Sequence, residues 1–250
     1  MVGAGKVVVI AGDSWGCGEW TQRDHRDYYV SHAGLAQYLA DDGYQVINLS
    51  QPGAGNGMIS DRLRLLFELS PGLTVHRVIV FQSDFMRDNA IRFPGGPGTF
   101  LTEGIIDASA SVNDFEGRAV SGFYYELSRL ATKYNISISV IGGHCDTEWL
   151  DRFSAEYPGV NVICQSMTEF LLTGNHRTSE PVFSHYDIGA VDMLPELKKK
   201  FGIDFLYRLG MPKPRLDRMQ DCREFFYPDN LHANRQGHKK LYEEIVRFIL

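Results

Sequence analysis

Cysteine is scarce in this chain, with four in 250 residues, at Cys17, Cys145, Cys164 and Cys222. They form no C-x-x-C pair and fall far below the density of a small disulfide-stapled fold, so reduced thiols are expected. Positive charge is scarce as well: 25 lysines and arginines face 31 acidic residues, a formal net charge of -6 with pI near 5.7. The one basic run, Lys198-Lys199-Lys200, reads as a solvated helix end. Without a clustered cationic face, a nucleic-acid partner is not expected. No apolar run approaches the roughly 20 residues that cross a bilayer. The first ten residues lack the basic start and long apolar core of a secretory signal, so a soluble, intracellular protein is expected. There is no internal repeat. Gly53-x-Gly55-x-Gly57 lacks both the lysine of a P-loop and the spacing of a dinucleotide fingerprint, and no cofactor is expected.

What is present is enough apolar material for one substantial core, 44% of the chain, and residues 1–250 are read as one domain. The pattern alternates strand and helix. Val7-Val8-Val9-Ile10, β-branched and bounded by glycines, suits a strand buried on both faces, and it ends in Gly12-Asp13-Ser14. Four more short apolar runs follow: 44–49, 77–81, 136–141 and 160–164. Helical spacing predicts helices over about 32–42, from a cap at Ser60 or Asp61 to about 70, over about 118–134, and after Asn234. In the last of these, Leu241, Ile245, Phe248 and Ile249 make a core stripe. Trp149, Phe153 and Tyr157, and then Met193, Leu194 and Leu197, suggest short helices. Residues 18–29 read as a loop, and about 93–117 and 165–226 as irregular insertions, with a loop around Met211-Pro212-Lys213-Pro214. Five strands alternating with helices imply an α/β fold whose five-stranded parallel sheet is covered on both faces.

A serine just past the first strand stands at the carboxyl edge of such a sheet, where open α/β folds keep their chemistry. Serine is a weak nucleophile unless a base lies within hydrogen-bond reach and a third group orients that base. Asp229 and His232, three residues apart just before the final helix, are the candidate pair. Alone, a D-x-x-H pair is more often a turn cap beside a packed histidine; joined to a serine at the first strand's end, it reads as a triad. Gly142-Gly143-His144-Cys145-Asp146 gathers potential ligands at a strand end, but no second cluster accompanies it, and no metal is expected. Trp15, Trp20, Tyr28 and Tyr29 could wall a sugar or acyl site, or simply pack in the core.

Gly12-Asp13-Ser14 after the first strand, a glycine turn after the second and Asp229-x-x-His232 before the last helix together resemble the SGNH (GDSL-type) hydrolase family along nearly the whole chain. The resemblance implies a three-layer α/β/α flavodoxin-like fold and ester hydrolysis, with Ser14 as nucleophile and oxyanion donor, His232 as general base and Asp229 as its orienting group. Asn48-Leu49-Ser50-Gln51-Pro52-Gly53 is similar to the family's second block and makes Gly53 an oxyanion donor. The third block departs: Phe81-Gln82-Ser83-Asp84 has no asparagine, and the Gln82 amide is expected to substitute, with Ser83 as second choice. The literal G-x-S-x-G of residues 12–16 also fits α/β-hydrolases, but there the nucleophile follows a mid-sheet strand with others upstream, and here eleven residues precede Gly12. The expected substrate is a small-molecule or carbohydrate ester, with O-acetylated carbohydrate preferred. The alternatives are a non-catalytic binding module that keeps the fold, and a metal-dependent hydrolase centred on His144, Cys145 and Asp146.

Overall fold

A computed structural model describes residues 5–24, 27–83, 112–143, 156–177, 187–192, 205–210, 213–227 and 232–250. Its elements are β1 (Val7–Ala11), the single turn α1 (Ser14–Cys17), β2 (Glu19–Asp24), β3 (Asp27–His32), α2 (Leu35–Asp41), β4 (Gln45–Asn48), α3 (Asn56–Leu69) and β5 (Val75–Gln82). After these come α4 (Val112–Tyr134), β6 (Ile138–Gly142), β7 (Val160–Cys164), α5 (Met167–Thr173), β8 (Asp187–Asp192), β9 (Phe205–Gly210), α6 (Lys213–Asp221) and α7 (Arg235–Glu244) with a 3₁₀ turn at Val246–Phe248.

The five expected strands form one parallel sheet in the order β4-β1-β5-β6-β7. Alternate residues of each strand face opposite sides, and both sides are covered. Val9, Ala11, Val78, Val80, Ile138 and Val140 pack under α3 and α4, against Ile59, Leu63, Phe67, Tyr124 and Leu127. Val8, Ile10, Ile79, Phe81 and Ile141 pack on the other side under α2, α5 and α7, against Leu35, Leu39, Phe170 and Leu241. This is the three-layer α/β/α architecture. The chain leaves β1 for β4 on one side and returns to β5 on the other, so the connections diverge above the carboxyl ends of β1 and β5 and open a crevice there.

Several local readings are corrected. Residues 18–29 are not a loop: β2 and β3 pair as an antiparallel hairpin with Trp20 opposite Val30. A two-stranded ribbon hides few side chains, so its alternation is faint. The α3 helix starts at Asn56, not at a cap near Ser60, because Gly55 in an extended conformation serves as its N-cap. Residues 112–117 of the expected insertion are the start of α4, and residues 165–226 contain α5, the β8–β9 hairpin and α6. Lys213 and Pro214 open α6 rather than extend a loop, as a proline tolerated in a first helical turn can. Phe248 leaves the core stripe: α7 ends at Glu244, the 3₁₀ turn rotates the chain, and Phe248 is 79% exposed while Ile245 and Val246 are buried. The expected short helices around Trp149 and around Met193, and the insertion over residues 93–111, lie outside the described residues. Among the described residues no helix is long and apolar enough to cross a membrane.

Candidate active site

The nucleophile turn is built by Asp13. Its side chain is fully buried, caps α1 by accepting the Trp15 N–H at 2.9 Å on Oδ1, and accepts the Ser83 hydroxyl at 3.0 Å on Oδ2. The end of β1 is thereby fixed to the end of β5. Gly12 allows the approach: a Cβ there would stand 2.7 Å from the Phe81 Cβ, closer than atoms can sit. Ser14 follows at the first position of α1 and is buried.

His232 arrives from the far end of the chain. Its Nε2 lies 2.8 Å from the Ser14 Oγ, across 218 positions of sequence. The backbone around it is closed by a bridge between Phe226 and Ala233 and by the Tyr227 N–H donating to the His232 carbonyl at 2.8 Å. Directly after it Asn234 caps α7, accepting the N–H groups of Gln236 and Gly237 at 2.9 and 3.0 Å, as its residue type predicts. Two indoles flank the imidazole, Trp15 at 6.2 Å and Trp20 at 5.9 Å between ring centroids. These tryptophans, 1% and 9% exposed, line the base rather than an open wall for a sugar, whereas Tyr29 is 40% exposed. Asp229 lies outside the described residues, as do His144, Cys145 and Asp146. Among the described residues no group of three His, Cys, Asp or Glu side chains could hold a metal ion.

Gly53 lies in the turn after β4, beside β1, with φ of 71°, a left-handed conformation that favours glycine. That turn is held from both sides: the Gln51 N–H donates to the Gly12 carbonyl at 3.0 Å, and Arg62 donates to the Leu49 carbonyl at 2.8 Å and to the Gln51 side chain. Gln82 ends β5 with its carboxamide buried toward α4, where its Oε1 accepts the Tyr124 hydroxyl. Burial, and then the neighbouring Tyr157, hold the Tyr124 hydroxyl protonated well above the ordinary tyrosine range, so it acts as a fixed donor that orients the amide. Ser83, the second choice for the oxyanion, gives its one hydroxyl hydrogen to Asp13.

Two groups escaped the sequence reading, Asn56 and Tyr124, and a third, Trp20, entered it only as part of a possible wall. Asn56, buried in the first turn of α3, clamps the Ser83 backbone at both ends, with Nδ2 donating to the carbonyl and Oδ1 accepting the N–H, each at 2.9 Å. Trp20 donates from its indole N–H to the Ser14 carbonyl at 2.9 Å. Tyr124 orients Gln82. Asn56 adjoins a glycine-rich turn and Trp20 stands six residues from the serine, but spacing alone does not separate such residues from packing ones. Cys17 shares the nucleophile turn, and burial, reinforced by the Asp13 charge and opposed by Arg62, pushes its thiol up to about 12. A thiol so hard to ionise does not compete with the serine.

No family model matches the chain, and no curated protein matches it. Among solved structures, the lipase/acylhydrolase from Enterococcus faecalis is similar at 16% identity with a TM-score of 0.44, covering 98% of this chain and 95% of that one. The psychrotrophic esterase EstA from Pseudoalteromonas sp. is similar at 11% identity with a TM-score of 0.47, covering 98% of both chains. Likeness this distant does not say which reaction a chain catalyses.

Proposed function

We propose that the chain is a serine esterase of the SGNH type that hydrolyses a carboxylic ester through an acyl-enzyme. The observation that carries this reading is the 2.8 Å contact between the Ser14 hydroxyl and the His232 ring at the carboxyl edge of the sheet. In the proposed reaction the hydroxyl proton passes to His232 Nε2, Oγ bonds to the acyl carbon, and the carbonyl electron pair moves onto oxygen. The backbone N–H groups of Ser14 and Gly53 and the Gln82 amide are assigned to that oxyanion. Asp229 is assigned to hold the imidazole and favour its charged form. Collapse of the intermediate expels the alcohol, which takes the proton from His232. Water then repeats the sequence and frees the acid.

Residues 1–250 act as one domain in this reading, since the nucleophile and base come from opposite ends of the chain. The narrower substrate, an O-acetyl group on a carbohydrate, loses the support of Trp15 and Trp20, which are committed to His232, and the exposed Tyr29 lies on the face of the ribbon opposite Trp20. Hydrolysis of p-nitrophenyl acetate and labelling by a fluorophosphonate test the proposal. The wild type turns over ester and is labelled on Ser14, Ser14→Ala does neither, and His232→Ala loses activity by about a thousandfold or more. A wild type that is neither labelled nor active overturns the esterase and favours a binding module on the same fold.

A further inference from the structure

The nucleophile is carried on a helix of one turn, Ser14–Cys17, and a helix that short cannot satisfy its own carbonyls. The chain leaves it at Gly18, so the Ser14 carbonyl must find a donor elsewhere. It finds the indole N–H of Trp20, at 2.9 Å. The same indole lies against His232, with ring centroids 5.9 Å apart and planes tilted by 44°. One side chain therefore touches both partners of the Ser14–His232 contact, through different atoms.

The hairpin that brings Trp20 there is itself fastened. Glu19, one residue before it, accepts the Arg235 backbone N–H at 2.6 Å, the Arg235 Nε at 2.8 Å and the Arg235 Nη2 at 3.0 Å. Across the hairpin the Ser31 hydroxyl donates to the same carboxylate at 3.3 Å. Arg235 is the first residue of α7 and lies three positions after His232. The ribbon of β2 and β3 thus ties, through hydrogen bonds and an ion pair, the turn that carries the serine to the segment that carries the histidine, more than two hundred positions away in sequence.

We propose that Trp20 is a positioning residue for the Ser14–His232 pair: its N–H fixes the nucleophile's carbonyl, and its ring holds the imidazole with Nε2 toward Oγ. This rests on the serine-esterase reading above. When the serine proton moves to His232 and Oγ bonds to the acyl carbon, the imidazolium that results has its centroid 5.9 Å from that of the indole, at the edge of the ~6 Å range over which an aromatic ring attracts a cation. Trp15 supplies a second ring at 6.2 Å. The indole is thus placed to favour the charged base formed on the way to the acyl-enzyme over the neutral base at rest, the kind of differential interaction that changes kcat.

The test compares Trp20→Phe, which keeps a ring and deletes the N–H, with Trp20→Leu, which removes both. Misplacing a reacting group by about an ångström costs on the order of a hundredfold, which sets the scale. Trp20→Leu is expected to lose about a hundredfold in kcat for p-nitrophenyl acetate with KM within about twofold, Trp20→Phe about tenfold, and the rate of fluorophosphonate labelling of Ser14 is expected to fall in parallel. A purely structural role would lower Tm in both variants and leave kcat of the folded enzyme unchanged, whereas a positioning ring loses kcat at constant KM and regains part of it with phenylalanine. Glu19→Gln, which loosens the tie to Arg235 and leaves the indole in place, is expected to lower kcat less than Trp20→Phe does; should Trp20→Leu fail to fold, a Trp20→Phe that keeps wild-type kcat, or loses no more than Glu19→Gln, overturns the proposal. Retention of wild-type kcat in Trp20→Phe and Trp20→Leu, or equal losses in both, overturns the proposal. A wild type that neither turns over nor labels would sink the esterase reading instead. In that event the ring-current displacement of the His232 protons, present in the wild type and lost in Trp20→Leu, shows the indole holding the imidazole, and its absence from the wild type overturns the placement.

Discussion

The bond between Asp13 and Ser83 joins the nucleophile turn to the neighbouring strand, and a double-mutant cycle measures what it contributes. Asp13→Ala removes the cap on the Trp15 N–H, an effect of about 1 kcal/mol. It also leaves the buried Ser83 hydroxyl without its acceptor at 3.0 Å, which costs about 1–3 kcal/mol. Together these give about 2–4 kcal/mol, a sizeable share of the roughly 5–15 kcal/mol that stabilises a folded domain. In a chain of this length each kcal/mol lowers Tm by about 2–4 °C. Ser83→Ala deletes the hydroxyl and is expected to cost about 1–2 kcal/mol. The double variant should be less damaged than the sum, because once Asp13 is gone the Ser83 hydroxyl is a liability that alanine removes. Urea unfolding of the four proteins at one pH gives the coupling, expected at about 1–2 kcal/mol. Costs that add to within about 0.5 kcal/mol would refute the reasoning, since they would mean that the two side chains do not depend on one another.

His238 supplies a pH prediction. It is buried in α7, and burial, with help from the nearby His32 and against the Gly18 backbone and the Glu19 charge, pushes its ring down to about 4. Unfolded histidine titrates near 6.5, so the depressed folded value favours folding fully above about pH 6.5, and that contribution is lost as pH falls toward 4. The wild type should lose about 3 kcal/mol more than His238→Asn between those limits in denaturant titrations, and equal losses would contradict a neutral buried ring. Cys17, with its thiol held up near 12, is expected to resist iodoacetamide at pH 8 in the folded protein and to react in urea, as peptide mass mapping would show. Fast alkylation of native Cys17 would mean that the turn opens.

Much of the sheet was legible because its signal is strong and local. A strand buried on both faces needs an unbroken apolar run, as β1 and the Val78–Phe81 end of β5 have, and the shorter apolar stretches at β4, β6 and β7 complete the sheet beside them. The serine turn, the Asn234 cap and the histidine before the last helix could be located for a similar reason, since each sits where a strict local pattern stops. The hairpin after Ser14 was not legible, because a short two-stranded ribbon has almost no periodicity of its own. Nor was the start of α3, where an extended glycine does the work usually given to serine or aspartate.

By itself, then, the sequence determined the five-strand alternation and the residue types available at the strand ends, because burial on two faces and turn chemistry act over a few neighbouring positions. Only the tertiary structure decided which of those residues meet. That Ser14 reaches His232 across 218 positions, that Trp20 touches both, and that Ser83 answers to Asp13 rather than to the crevice depend on strand order and on where α7 docks. Those contacts are made through space between segments whose spacing along the chain carries no trace of them.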